Sequence, residues 1–204
     1  MRFWWISTLP ASNRFARGKI VENPDDQYLC PVCGALVPFT LDERAYPLKI
    51  TVSTGTMPDF LFIPDPVYVV SERVLFTLME KFPNLKIEYQ QVVFVSGRGK
   101  NKGIENRGLK YYHIISRSMA RLHADSRVVL RHKRDACGTE DWATEGSTII
   151  GPDDPRYVDL STWDGSAVFR CLETGASLYW VDEVKALAEK EKWTSISFEP
   201  IYGR

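Results

Sequence analysis

Cys30-Pro31-Val32-Cys33-Gly34 places two thiols three residues apart, with a glycine directly after the second. Two thiolates at that spacing can grip one metal ion, and the glycine relieves the tight backbone that follows. A related frame stands at Arg134-Asp135-Ala136-Cys137-Gly138, with arginine in the place of its first cysteine. A tetrahedral zinc site therefore lacks its fourth sulfur, and His132 and Cys171 are the substitutes the sequence offers. Cys30, Cys33, Cys137 and His132 form the candidate metal set, and structural zinc is the only cofactor it suggests. The same residues also admit a metal-free vestigial pair, or a disulfide or redox pair. Redox work is the least favoured, because Cys30 and Cys33 lack the strand-then-helix setting of thioredoxin-like sites. In the cytoplasm, where we expect the protein, structural disulfides are disfavoured too.

Other catalytic chemistry has little to stand on. There is no G-x-S-x-G elbow, no H-E-x-x-H and no kinase or P-loop signature, and the chain has only three histidines. His113 sits in an aromatic strand, which suits a packed or hydrogen-bonded role. His123 can pair with Asp125 as neighbouring turn residues do. Asp25-Asp26 and Asp153-Asp154 lie in loop-like stretches and read as solvated turns. We expect no catalytic residue, no small-molecule substrate and no enzyme.

The elements that must position these groups come in two similar runs. Arg2-Phe3-Trp4-Trp5-Ile6 matches Lys110-Tyr111-Tyr112-His113-Ile114 at an offset of 108, and the two Cys-Gly pairs match at 104. Phe60 then aligns with Phe169, Leu78 with Leu187, Ile87 with Ile196, Tyr89 with Phe198 and Val92 with Ile201, all at 109. Repeats of this kind are sought before motifs are trusted, and shifts between blocks fall in turn-rich stretches where insertions are tolerated. In each run the periodicity reads strand, turn, strand, helix, strand. Residues 59–63 and 67–70 are short aromatic and β-branched runs parted by Pro64-Asp65-Pro66. Ser71 is a helix cap, Val74, Leu75, Leu78 and Met79 form the apolar face, and Pro83-Asn84 ends the helix. The second run gives strands at 168–172 and 178–181, Asp182 as cap, Val184, Leu187 and Ala188 as the apolar face, and Ile196 and Phe198 in the closing strand. The expected fold is α+β: two tandem repeats of a mostly antiparallel sheet with one main helix each, packed as one compact unit. Residues 1–96 form the first repeat, 97–108 a basic Gly-rich linker or hairpin loop, and 109–204 the second, degenerate repeat.

Composition narrows the partners. The chain has 204 residues, 44% hydrophobic and 12% aromatic, enough for a substantial core. Twenty-six basic residues balance 26 acidic ones, so no global field draws it to nucleic acid or an anionic membrane. No apolar run approaches the roughly 20 residues of a membrane helix. The apolar start, Phe3 to Leu9, is short and broken by Ser7 and Thr8, and reads as a first strand rather than a signal peptide. Local patches must carry recognition. Ser96-Gly97-Arg98-Gly99-Lys100-Asn101-Lys102-Gly103 has glycines at the wrong spacing for a P-loop or a dinucleotide turn. A second basic cluster, Arg127, Arg131, His132, Lys133 and Arg134, reads as a solvated strand edge or a contact patch. The stretch from Thr139 to Trp163, with Trp142, Asp153 and Asp154, is the third region suited to contacts.

Together the CPVCG opening, Pro58-Asp59-Phe60-Leu61-Phe62, Val70-Ser71-Glu72-Arg73-Val74, Cys137-Gly138, Gly165-Ser166-Ala167-Val168-Phe169-Arg170 and Phe198-Glu199-Pro200 resemble the double-CXXCG family of myxobacterial type. Members of that family include immunity proteins paired with polymorphic toxins, and the likeness spans nearly the whole chain. It implies a cytoplasmic immunity protein that binds a cognate secreted or contact-delivered toxin domain stoichiometrically and blocks its activity. Arg134 departs from the name-giving pattern and puts a four-cysteine metal site in doubt. The alternative is a zinc-ribbon-like nucleic-acid module, favoured by CPVCG and the 127–134 cluster and opposed by the neutral net charge; an enzyme ranks below it. Toxin-contacting residues are not marked by any general chemistry.

Overall fold

The computed structural model describes residues 1–8, 14–21, 47–64, 67–133, 140–147, 150, 154–175 and 177–204. In chain order the first half supplies β1 (Arg2–Ser7), β2 (Gly18–Ile20), β3 (Lys49–Val52), β4 (Phe60–Leu61) and β5 (Tyr68–Ser71). Helix α1 (Glu72–Lys81), β6 (Ile87–Gln91) and β7 (Val93–Gly97) follow. The second half supplies β8 (Tyr111–Ser116), β9 (Met119–Ala120), β10 (Val128–Lys133), β11 (Glu140–Thr144) and β12 (Tyr157–Val158). It closes with β13 (Val168–Cys171), β14 (Leu178–Val181), α2 (Asp182–Lys190) and β15 (Ser197–Gly203). The described residues are thus mixed α/β, mostly sheet, and no helix among them is long and apolar enough to cross a membrane.

Helix α1 forms where the period changes from two to about 3.6. Ser71 caps it in extended conformation and accepts from the Val74 N–H, Glu72 lies in the first turn and Lys81 in the last. Both charges suit the helix dipole. Val74, Leu75 and Leu78 are buried, whereas Met79, expected on the same face, is 38% exposed. Helix α2 differs from its expected start. Val181 precedes it without a side-chain cap, and Asp182 is its first helical residue. The Asp182 carboxylate accepts from Trp4 Nε1 at 2.6 Å and from Arg2 Nε at 3.3 Å.

Strands do not segregate by half, which corrects the expectation of two repeats each with its own sheet. One sheet runs β12-β15-β1-β14-β13-β9 and another β4-β5-β8-β6. Strand β1 lies antiparallel between β14 and β15, with Phe3 opposite Val181 and Ile201. Strand β8 lies antiparallel between β5 and β6, with Tyr112 opposite Val70 and Gln91. In both places the first strand of one half fills the gap between the strands that flank the helix of the other. The physical reason is burial. All six residues of β8 are buried, and Phe3 and Ile6 of β1 are fully enclosed, so both strands need neighbours on each edge and cover on each face.

The surroundings of the two inserted strands correspond as well. Asp182 binds Arg2 and Trp4, and Glu72 binds Lys110 Nζ at 3.0 Å and the Tyr112 hydroxyl at 3.4 Å. Trp4 meets Phe198 edge-on at 6.4 Å, as Tyr112 meets Tyr89 at 5.7 Å. The pairing moves two expected equivalences by one residue. Phe60, opposite Val70, corresponds to Val168, opposite Trp180, and not to Phe169. Leu78 on α1 corresponds to Ala188 on α2, and not to Leu187.

A large core gathers Phe3, Ile6, Phe60, Val70, Leu75, Leu78, Ile114, Phe169, Trp180 and Val184 from both halves. Each such side chain contributes about 1.5–3 kcal/mol relative to exposure. A second core, with Leu48, Ile50, Leu61, Val69, Phe94, Ile104 and Tyr111, lies under the sheet β2-β3-β7. Alternate residues of β4, β5 and β8 point to the two cores, as strand geometry requires. Asp59 ties the halves at one end: it accepts from Ser71 Oγ, from Arg73 Nε and Nη2, and from the N–H and hydroxyl of Thr194 just beyond α2.

Candidate interaction surface

Of the expected metal set, Cys30, Cys33 and Cys137 lie outside the described residues, as does Arg134. His132 lies exposed on β10, opposite Asp141 of β11 and next to a register shift. One ligand on one strand does not by itself define a tetrahedral site. Among the described residues no three His, Cys, Asp or Glu side chains gather where a metal would sit. Cys171 is fully buried on β13, and burial, with Glu173 nearby, pushes its thiol well up, which suits a packed rather than a reactive cysteine.

The histidines occupy the places their neighbours suggested. His113 is 2% exposed in the middle of β8, and burial lowers its pKa to about 4, so it is neutral at pH 7. His123 Nδ1 accepts from the Asp125 N–H at 3.2 Å inside a local turn, and Asp125 is also held by Arg204. Asp154 accepts from Thr144 Oγ1 at 2.6 Å, while Asp25, Asp26 and Asp153 lie outside the described residues. Trp163, expected on a contact stretch, packs edge-on against Phe3 at 5.1 Å and donates its N–H to Ser166. That part of the stretch belongs to the core. Trp142 is half-buried, with the Arg121 guanidinium 5.4 Å over its ring, and Arg121 is in turn held by Glu173 at 2.9 Å.

The two basic regions differ in how their charge is used. On the hairpin of β10 and β11, Lys133 pairs with Glu140 at 2.9 Å, and this bond holds the Glu140 carboxyl below its ordinary range. Arg127 occupies the left-handed region, φ 52°, to turn the chain into β10. By contrast Arg98, Lys100, Lys102 and Arg107 are all exposed, and none forms an ion pair with the described residues. Glu105 is the one acid between positions 98 and 107.

This second region is a built loop, made of two 3-10 turns, Gly99–Asn101 and Ile104–Asn106. Asn101 is 2% exposed and donates its amide to Ser53 O at 2.7 Å and Gly55 O at 3.0 Å. Ile104 plugs the second core, and Arg107 Nη1 reaches the Lys100 carbonyl at 3.0 Å. The glycine spacing has a steric cause. A side chain at Gly97 would overlap the Asn101 backbone, and Gly99 combines φ 54° with close approach to Thr54. The loop backbone is therefore fixed from beneath, and its four cations stay exposed. Strand β7, which feeds into it, turns Phe94 inward and leaves Val93 48% and Val95 46% exposed.

No protein-family model matches the chain, and a search of curated proteins finds no match either. The sequence signal for this surface was the run of basic residues between glycines; what it lacked was Asn101, whose anchoring role depends on a loop nearly 50 positions away.

Proposed function

We propose that this chain is an immunity protein of the double-CXXCG kind, which binds a cognate toxin domain in the cytoplasm of the producing cell and blocks it without catalysis. The observation that carries the reading is the anchored loop 98–107 with its four exposed cations. A surface already ordered in the free protein loses little conformational entropy on binding, and exposed charge speeds capture of a complementary partner. Zinc held by Cys30, Cys33, Cys137 and His132 belongs to the same proposal as a structural element. No step of inhibition depends on it.

We also propose that the chain is a duplicated unit whose two copies have exchanged first strands. The matching places of β1 and β8, and the matching pairs at Asp182 and Glu72, support that reading. Separate polypeptides 1–108 and 109–204 should then fold only when mixed, because each holds the strand that completes the other and the first keeps the loop that packs on its own core. Independent folding of either piece refutes the exchange.

The function is tested by co-expression with the C-terminal domain of the protein encoded beside this one. Growth rescue together with a stable one-to-one complex is the expected result. Toxicity that this chain does not relieve, or a harmless neighbour, sinks the immunity reading.

A further inference from the structure

We infer that the outer face of β7 and the loop that follows it, presenting Val93, Val95, Arg98, Lys100, Lys102 and Arg107, is the docking surface for an acidic face of a partner protein. The inference rests on the protein-binding reading above and commits it to one surface and one partner chemistry.

Charge complementarity carries it. The four cations are exposed and free of ion pairs among the described residues, in a chain whose total charge is balanced. Several cations elsewhere are matched: Lys133 by Glu140, Lys110 by Glu72, Arg117 by Glu88 and Lys86 by Asp164. Unmatched positive charge held on a fixed frame attracts a negative surface at long range and sets its register on contact. Asn101, Ile104 and the two close-packed glycines fix that frame from beneath, so the partner need not order the backbone that carries the cations.

The neighbouring apolar groups decide between two kinds of acidic partner. Val93 and Val95 lie on one face of β7, two residues apart, and lead into the loop. Single-stranded nucleic acid is held by aromatic platforms that stack on bases, and this face offers aliphatic side chains instead. An apolar centre beside a charged rim is the make-up of a protein–protein contact. The partner surface should therefore carry Asp and Glu around a small aliphatic or aromatic patch.

The test uses the full chain, R98E/K100E/K102E, and a control with the same charge change elsewhere, K81E/K190E/K192E. The three loop residues make no ion pair, so the first variant should melt with the parent. Two probes are titrated by fluorescence anisotropy at about 50 and 300 mM salt: polyglutamate of about 20 residues and single-stranded DNA of about 20 nucleotides. The C-terminal domain encoded beside the gene is titrated in parallel. Polyglutamate should bind the parent and the control alike, and the loop variant should lose about tenfold or more, with the difference shrinking in high salt. No polyglutamate binding, equal binding by all three proteins, or a preference of about tenfold for DNA overturns the inference. If the neighbouring domain binds parent and loop variant equally, the immunity reading stands and this surface is wrong. If that domain binds none of them while polyglutamate discriminates, the surface stands and the immunity reading falls.

Discussion

Acid should unfold this protein through His113 before its carboxylates titrate fully. The imidazole is enclosed in the middle of β8, between Val69 of β5 and Gln90 of β6, and burial lowers its pKa from 6.5 to about 4. A proton therefore binds the unfolded chain more readily than the native one between those values, so stability rises with pH across that window. The contribution is complete above pH 6.5, is lost as pH falls toward 4, and is constant below it. Linkage over this shift gives about 2 kcal/mol lost between roughly pH 7.5 and pH 5, and about 3 kcal/mol in all. Urea melts of the parent and His113→Gln at both pH values isolate the effect, because the carboxylates contribute equally to both proteins. Whatever the substitution costs at neutral pH, the parent should lose about 2 kcal/mol more than the variant on acidification. Parallel loss in the two proteins would refute the assignment of His113 as the buried neutral group.

Asp59 should matter more than its most obvious partner: Asp59→Ala leaves the Thr194 N–H and the Ser71 hydroxyl without their acceptor and should cost about 2–4 kcal/mol in a denaturant melt, while Arg73→Ala, at a half-exposed side chain, should cost about 1 kcal/mol or less. An equal loss for both would show that the ion pair, rather than the buried acceptor, holds the halves together. Gly97→Ala should force the Asn101 backbone to move, at a cost of about 1–3 kcal/mol, and amide exchange at Asn101 should quicken while that of β14 is unchanged. Peptide mapping after iodoacetamide should find Cys171 unmodified in the native protein and labelled at least about a thousandfold faster in denaturant; rapid native labelling would contradict its enclosure on β13.

Much of the local structure was legible because it is written in periodicity. The apolar spacing of Val74, Leu75 and Leu78 pointed to α1 and its cap at Ser71, and the strands expected at 168–172 and 178–181 became β13, which ends at Cys171, and β14. Pairing was not legible. An aromatic strand such as Arg2–Ser7 needs two neighbours, and nothing in its own residues says that they stand near positions 180 and 200. Helix α2 shows the same limit at a single residue, since Asp182 has the chemistry of a cap but is drawn to Trp4 and Arg2 from the far end of the chain. In the candidate surface, the basic residues were visible and their anchoring was not. Gly97 and Gly99 read only as a linker or hairpin loop because the contact that demands them, with Asn101 and Thr54, is set by the fold.

The placement of β1 also fixes an order of events at the ribosome. Synthesis runs from the N-terminus, so β1 is made first, yet its partners β14 and β15 end at Val181 and Gly203. Strand β8 meets a different situation, because β5, α1 and β6 already exist when it emerges. The nascent chain can therefore complete the β4-β5-β8-β6 sheet early, while Phe3-Trp4-Trp5-Ile6 waits unpaired until β14 and β15 have been made. Pairings so distant in sequence form slowly, and apolar segments that wait are the ones that aggregate or recruit chaperones. The yield of folded protein should thus depend on how β1 is sheltered during synthesis, since Phe3 and Ile6 are enclosed only once β14 and β15 have formed.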